Sequence, residues 1–253
     1  MELTTYGRLA ALEYALDNEA PPADYFDFYW QQYTAVGVDG PVLEPMCGAG
    51  RFLLPFLVRG VEIDGMDASE HMLTACRDRC AGQGFAPNLY HQLIQEIELP
   101  RQYAYIFMPD RAIGLLYEKA VVQETLQRLY DHLLSGGVLA VDVQSPGAQD
   151  FLTGVWQGGW TDLPDGSKLV HTLLFELEED RRILRAIGKH ERFVNGKLQE
   201  AELDTYTERL YFRTEFSTLL EDAGFVDIEM SRPFNDPKPE GPGNIAFVCR
   251  KSE

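Results

Sequence analysis

No run of about 18 apolar residues occurs in this 253-residue chain, so no segment of it is expected to cross a bilayer as a helix. Its opening stretch, MELTTYGRLAALEYALDNEA, lacks both the positive flank and the continuous apolar core of a secretory leader. Cysteine is scarce: Cys47, Cys76, Cys80 and Cys249 are too few and too unevenly placed for a disulfide scaffold. Cys76 and Cys80 stand four apart on an expected helix, but no second Cys or His pair completes a zinc site, so no metal is expected and packing thiols remain. Basic residues are also few, 22 Lys and Arg against 40 Asp and Glu, and no basic run exceeds Arg181-Arg182. Binding to a phosphate backbone needs clustered Lys and Arg, so nucleic acid and anionic membranes are poor partners and a small molecule is a better one. The expectation is a cytoplasmic protein with one α/β domain and an elaboration. Internal repeats and low-complexity segments are absent.

What the chain does have is the stretch 42–67, VLEPMCGAGRFLLPFLVRGVEIDGMD. A short apolar strand reaches Glu44, the chain turns through Cys47-Gly48-Ala49-Gly50, a helix is expected over 51–59, and a second strand over 61–66 ends on Asp67. Strand, glycine turn, helix, strand and acid make the first half of a nucleotide-binding α/β unit, where glycines admit a ligand to the backbone and the terminal carboxylate reaches a ribose. A dinucleotide fingerprint needs a glycine three residues after Gly50, and Leu53 stands there. Glu44 would repel a pyrophosphate and attract a cationic sulfonium amino acid.

Glu-Pro-Met-Cys-Gly-Ala-Gly, followed by Gly65-Met66-Asp67-Ala68-Ser69 and Met72, resembles the first two motifs of class I S-adenosylmethionine-dependent methyltransferases. The resemblance implies a Rossmann-like α/β fold with a seven-stranded sheet, and S-adenosylmethionine as cofactor. It implies cofactor contacts from Glu44, Met46, Gly48, Gly50, Asp67, Ala68 and Met72. Glu44 would serve the methionine amino group, the Gly48 and Gly50 backbone would admit the methionine and ribose, and Asp67 would accept both ribose hydroxyls. The run 93–98 lies where related enzymes hold the adenine, but the usual Asp is replaced by Leu93, Ile94 or Gln95, depending on alignment. Gln95 offers an amide acceptor, and Glu96 competes with it.

Around that centre the pattern is regular. Leu9, Leu12 and Leu16 give a helical stripe over 3–16, and Asp24 is placed to cap an aromatic helix over 25–34. In the resembled family such helices lie across the cofactor pocket, which makes Tyr25 and Tyr29 candidates for contacting substrate. Ser69 is expected to cap a helix over 70–80, and 88–92 reads as a short third strand. The fourth strand, YAYIFM over 103–108, ends in Pro109-Asp110-Arg111; the switch-point rule makes that loop a wall of the site, with Met108 toward the cofactor and Asp110 toward substrate. A surface pairing of Asp110 with Arg111 is the bland alternative. An amphipathic helix over 118–134 is expected to stop at Ser135-Gly136-Gly137, before a fifth strand over 138–143.

Beyond Gly147 the period changes to two. Alternating runs over 168–178, 182–194 and 197–210, the last two joined by Asn195-Gly196, read as an antiparallel meander of three or four strands. In the small-molecule branch of the resembled family such an insert covers the active site or builds a homodimer contact. A helix over 212–222 and an antiparallel pair, 225–230 and 245–250, close the chain, with a Pro- and Gly-rich loop over 232–244 between them. The division that follows is a helical cap over 1–38, a methyltransferase-like core over 39–147 and 212–253, and the insert over 148–211.

Methyl transfer from a sulfonium is an in-line displacement that asks mainly for positioning. A base is useful if the acceptor is an amine. His171, His190 and Asp110 are candidates, with Tyr206 and Tyr211 as hydroxyl partners; the sequence does not choose among them, and His171 is carried forward as a substrate candidate. Methylation at nitrogen or oxygen of a small molecule is the expected activity. The rivals are an NAD-dependent oxidoreductase, against which Leu53 counts, and a non-catalytic cofactor-binding protein, which the missing adenine Asp favours.

Overall fold

The order in which the strands lie side by side, β10-β11-β5-β4-β1-β2-β3, places a reversal of strand order between β1 and β4. In this computed structural model, which describes residues 6–147, 152–231 and 243–252, α1 (Arg8–Asp17) and α2 (Ala23–Thr34) precede the sheet. Then come β1 (Val42–Pro45), α3 (Leu53–Val58), β2 (Ile63–Asp67), α4 (Glu70–Ala81), β3 (Leu89–His91), β4 (Tyr103–Met108), α5 (Lys119–Asp131) and β5 (Leu133–Gln144). A second region supplies β6 (Trp156–Asp162), β7 (Lys168–Glu178), β8 (Ile183–Val194) and β9 (Lys197–Arg209) before α6 (Arg213–Asp222), β10 (Val226–Ser231) and β11 (Asn244–Arg250).

β1 to β5 run parallel, and β11 is reversed between β5 and β10. Every residue of β4 is buried, as a central strand covered on both faces requires. One apolar cluster joins the sheet to α5 and α6 through Val122, Leu126, Leu129 and Phe216. The other joins the opposite face to α2, α3 and α4 through Phe26, Tyr29, Phe56 and Leu73. All four cysteines are free and buried, which is the packing role expected of them.

The four remaining strands form a separate antiparallel sheet in the order β6-β7-β8-β9. Asn195 (φ 51°) and Gly196 (φ 73°) turn β8 into β9 with the two left-handed residues that a tight hairpin demands. This sheet reaches back to the chain's beginning. Glu202 of β9 accepts hydrogen bonds from the backbone N–H groups of Leu9 (2.7 Å) and Ala10 (3.4 Å), so a carboxylate nearly two hundred residues away caps α1 and opposes its dipole.

Several expected boundaries are corrected. The helix over 118–134 ends at Asp131, and Leu133 already pairs with Tyr103 of β4. The pairing then slips from Tyr103–Leu133 to Tyr105–Val138, so Ser135-Gly136-Gly137 is an irregularity inside the strand and not a helix cap. Hydrogen bonds between Gly136, Gly137 and Lys251 hold that irregularity. α3 begins at Leu53, because Ala49 to Phe52 are spent in the turn. Pro22, not Asp24, is the N-cap of α2, and Asp24 sits inside its first turn. Residues 3–5 of the first expected helix and 232–242 of the expected loop lie outside the described residues.

The Glu202 cap generates a prediction. Glu202→Ala removes a charge-assisted bond to two backbone donors and should lower unfolding free energy by about 2 kcal/mol. Urea unfolding should show the loss, and limited proteolysis should cut within 8–17 sooner than in the parent; an unaltered midpoint and cleavage pattern would refute the cap's importance.

Candidate active site

The turn after β1 is held in a conformation that most residues avoid. Met46 leaves the strand at φ 59°, Gly48 follows at φ 51° and Gly50 at φ 76°. A left-handed methionine stores strain, which its surroundings must hold in place. Cys47 N–H donates to the Met66 carbonyl (2.9 Å), and Gly50 N–H to the Cys47 carbonyl (2.9 Å). The tie that matters most is Asp67. One of its oxygens accepts from Gly48 N–H (2.9 Å) and the other from Ser69 N–H (2.8 Å), which fixes the carboxylate between the turn and the start of α4. Each oxygen keeps further lone-pair capacity for a ligand.

This turn, the end of β4 and the α1 segment enclose a cavity of about 320 Å³, the size of a small-ligand site, where the strand order reverses. Glu44 forms part of its wall, although the residue is only 2% exposed. Its Oε2 has no hydrogen-bond partner among the described residues. Burial, and then the nearby charges of Asp110 and Asp67, push its carboxyl well above the usual range, while a backbone N–H at Leu53 opposes the shift. A buried acid in that condition favours a cationic ligand. Of the two cations on the cavity wall, Arg51 is already committed to Asp110 at 2.9 Å, and Arg111 faces the charges of Glu208, Asp142 and Asp110. Gln95, in the short 3₁₀ turn Ile94–Glu96, presents an Oε1 that is buried and likewise without a partner.

Of the residues singled out from the sequence, Glu44, Met46, Gly48, Asp67, Ala68, Met72, Gln95 and Asp110 line the cavity. Gly50, Met108, Tyr25, Tyr29 and His171 do not. Gly50 instead admits α4: a Cβ there would stand 2.6 Å from the Cys76 Sγ. Met108 is fully buried in the core. Tyr25 and Tyr29 turn inward, donating their hydroxyls to the two oxygens of Asp142 at 2.5 and 2.7 Å. His171 lies 3.6 Å from Glu13, on the inserted sheet. The alternative, a surface pairing of Asp110 with Arg111, gives way to an ion pair of Asp110 with Arg51, and Asp110 and Arg111 both adopt left-handed φ, 58° and 59°. Asp110 N–H donates to the Tyr25 hydroxyl at 2.8 Å, so Tyr25 supports the loop from behind.

Several contributors were not legible in the sequence. Tyr6, Tyr14 and Arg51 line the cavity, and Asp142 anchors the two tyrosines under it. Tyr14 lies on α1 and Tyr6 just before it, beside the leucine stripe of the expected first helix, and neither carries a local sign of the cavity. Asp142 carried a signal in VLAVDV, a lone acid in an apolar strand.

The match to known proteins agrees with this geometry. Residues 42–137 fit the family model described as a methyltransferase domain. A curated protein of Geobacillus sp. (strain WCH70) with a provisional methyltransferase name is 24% identical over 98% of this chain and 100% of its own length. The S-adenosylmethionine-dependent methyltransferase from Clostridium acetobutylicum ATCC 824 superposes with a TM-score of 0.77 at 15% identity, covering 96% of this chain and 98% of that one. The sugar N-methyltransferase KedS8 from Streptoalloteichus sp ATCC 53650 gives 0.78 at 18% identity, covering 98% and 95%. At those identities the structures establish the fold, which is that of the class I methyltransferases.

Behind the cavity wall lie two further buried acids, Asp142 and Glu208. Burial raises Asp142 to about 6, against the pull of its two tyrosine hydroxyls, and raises Glu208 to about 7, against the pull of Arg111. A folded-state pKa above the unfolded one means that the native chain binds more protons. The stability that each group contributes is therefore complete below its unfolded pKa near 4 and lost as pH rises through 6 to 7. Glu208→Gln should accordingly gain stability relative to the parent between pH 4.5 and pH 8, by up to about 3 kcal/mol. Denaturant midpoints at the two pH values would test it, and a difference that does not change with pH would contradict it.

Proposed function

We propose that this methyltransferase takes its methyl group from S-adenosylmethionine and transfers it to nitrogen or oxygen of a small molecule. The observation that carries the reading is the buried Glu44 carboxyl with an unsatisfied oxygen on the cavity wall. It fits the ammonium of the donor's amino-acid arm, which would supply the missing partner and the missing positive charge. Asp67, with both oxygens oriented by backbone N–H groups, fits the ribose hydroxyls, and Gln95 Oε1 fits the adenine amino group. Gly48 leaves the turn open, since a Cβ there would meet nothing nearer than 3.7 Å. S-adenosylmethionine, when bound, supplies an electrophilic methyl carbon on a sulfonium. The protein's own task is then to hold an acceptor in line with that carbon and to exclude water. The names of the Clostridium and Streptoalloteichus neighbours support this donor and an acceptor of small size.

The excess of acid argues for a small-molecule substrate and against nucleic acid as a partner, and a cytoplasmic setting belongs to the same proposal. No helix among the described residues is long and apolar enough to cross a membrane. The outer face of the β6–β9 sheet leaves Trp156, Trp160 and Leu203 exposed on one side, a surface suited to a second copy of the chain.

Two measurements test the proposal. Glu44→Gln should weaken S-adenosylhomocysteine by tenfold or more, about 1.4 kcal/mol, in calorimetry, and leave 5′-methylthioadenosine, the same nucleoside without the amino-acid arm, little changed. Equal losses for the two ligands would remove Glu44 from the ammonium role. Light scattering should give twice the monomer mass for the parent and the monomer mass for Trp160→Glu with Leu203→Glu; a monomeric parent would end the dimer reading.

A further inference from the structure

Beyond the donor cavity lies a second lobe of about 190 Å³, and the two share Tyr6, Tyr14 and Asn18 as walls. Its far side belongs to the inserted sheet, through His190 of β8 and Asp204 and Tyr206 of β9, while α1 contributes Glu13. The register explains the convergence. His171 and His190 face each other across β7 and β8, and Asp204 lies on the same inner face of β9, all beneath α1.

The chemistry of this lobe is one-sided. It is lined by the carboxyls of Glu13 and Asp204 and the rings of Tyr6, Tyr14 and Tyr206, and among the described residues no Lys or Arg lines it. His190 is only 4% exposed, yet its Nδ1 has no hydrogen-bond partner among the described residues; Glu13 stands 3.8 Å from it, too far for a bond. Asp204 Oδ2, 3.6 Å from the His190 Nε2, is equally unsatisfied. Buried polar atoms left without partners are uncommon and ask for an explanation. Two carboxylates and three aromatic faces around a small space are the combination that holds an ammonium, by charge and by cation–π attraction.

We infer that this lobe is the acceptor site and that it takes a protonated amine, so that the methyl group goes to nitrogen. The inference rests on the donor reading above and decides the atom that reading leaves open. Glu13 and Asp204 hold the ammonium, and the tyrosines shared by both cavities bring its nitrogen to the donor side. The ammonium must first lose a proton, because the nitrogen has no free electron pair until it does. Glu13 is the acceptor for that proton, its carboxyl raised to about 7 by burial and then by Asp17. Asp17 faces it from α1, His171 from β7 and His190 from β8, with Asp204 beyond on β9. The freed pair forms the bond to the methyl carbon as the carbon–sulfur bond breaks, leaving its electrons on sulfur as a neutral thioether. The product is a methylated ammonium, and Glu13 returns its proton to water.

The test is calorimetry on the whole protein saturated with S-adenosylhomocysteine, using cyclohexylamine, cyclohexanol and cyclohexanecarboxylate as a matched set. The amine should bind at least tenfold more tightly than the alcohol, and the carboxylate more weakly than either. Glu13→Gln and Asp204→Asn should each lose fivefold or more for the amine while keeping parental affinity for S-adenosylhomocysteine and a parental circular dichroism spectrum. An amine that binds no better than the alcohol, or amine affinity unchanged in both variants, overturns the acceptor assignment. Failure of S-adenosylhomocysteine to bind the parent overturns the donor reading, and the inference with it.

Discussion

A carboxylate buried at the end of β1 with one oxygen unsatisfied is a cost that the fold carries until something positive arrives. Neither cation on its cavity wall satisfies Glu44: Arg51 is held by Asp110, and Arg111 interacts with the charges of Glu208, Asp142 and Asp110. Leaving an acid uncompensated in low dielectric is unfavourable by several kcal/mol in general, so its position is more naturally read as a binding feature than as a structural one. The rest of the cavity follows from keeping that acid where it is. The left-handed Met46 bends the chain away immediately after it, and Asp67 secures the turn by its two backbone bonds.

The second wall depends on a longer chain of contacts. Asp142 in β5 takes hydrogen bonds from Tyr25 and Tyr29 of α2, and Tyr25 in turn accepts from Asp110 N–H. Two consecutive left-handed residues, Asp110 and Arg111, are thereby stabilised at the mouth of β4. Strain at a ligand-facing loop, over-determined by buried hydrogen bonds, is a recurring arrangement in active sites. The tyrosines that suggested substrate contact are thus better described as supports for the loop that faces the substrate.

Legibility from sequence divided along physical lines. β4 was read to the residue, because a fully buried central strand is an unbroken apolar run bounded by polar residues. The Asn195-Gly196 hairpin was equally plain, since positive φ at both positions leaves little choice of residue. The motif around Glu44, Gly48 and Asp67 was legible because it is local and its spacing is fixed by strand and turn geometry. The junction of α5 and β5 was not: Leu133 and Leu134 continue the helical stripe, and only pairing with Tyr103 and Lys251, remote in sequence, makes them strand. Contacts such as Tyr25 with Asp142, or Glu202 with the start of α1, join residues more than a hundred positions apart and have no local signature. The same holds for the second lobe, whose lining comes from residues 6–18 and from the inserted sheet over 173–206.

The most direct test of the central claim is a crystal structure of the protein with S-adenosylhomocysteine. The account predicts the amino group of the ligand's amino-acid arm within hydrogen-bond distance of Glu44 Oε2 and its ribose hydroxyls on the Asp67 carboxylate. A nucleoside bound elsewhere, or an amino group that leaves Glu44 without a partner, would contradict it.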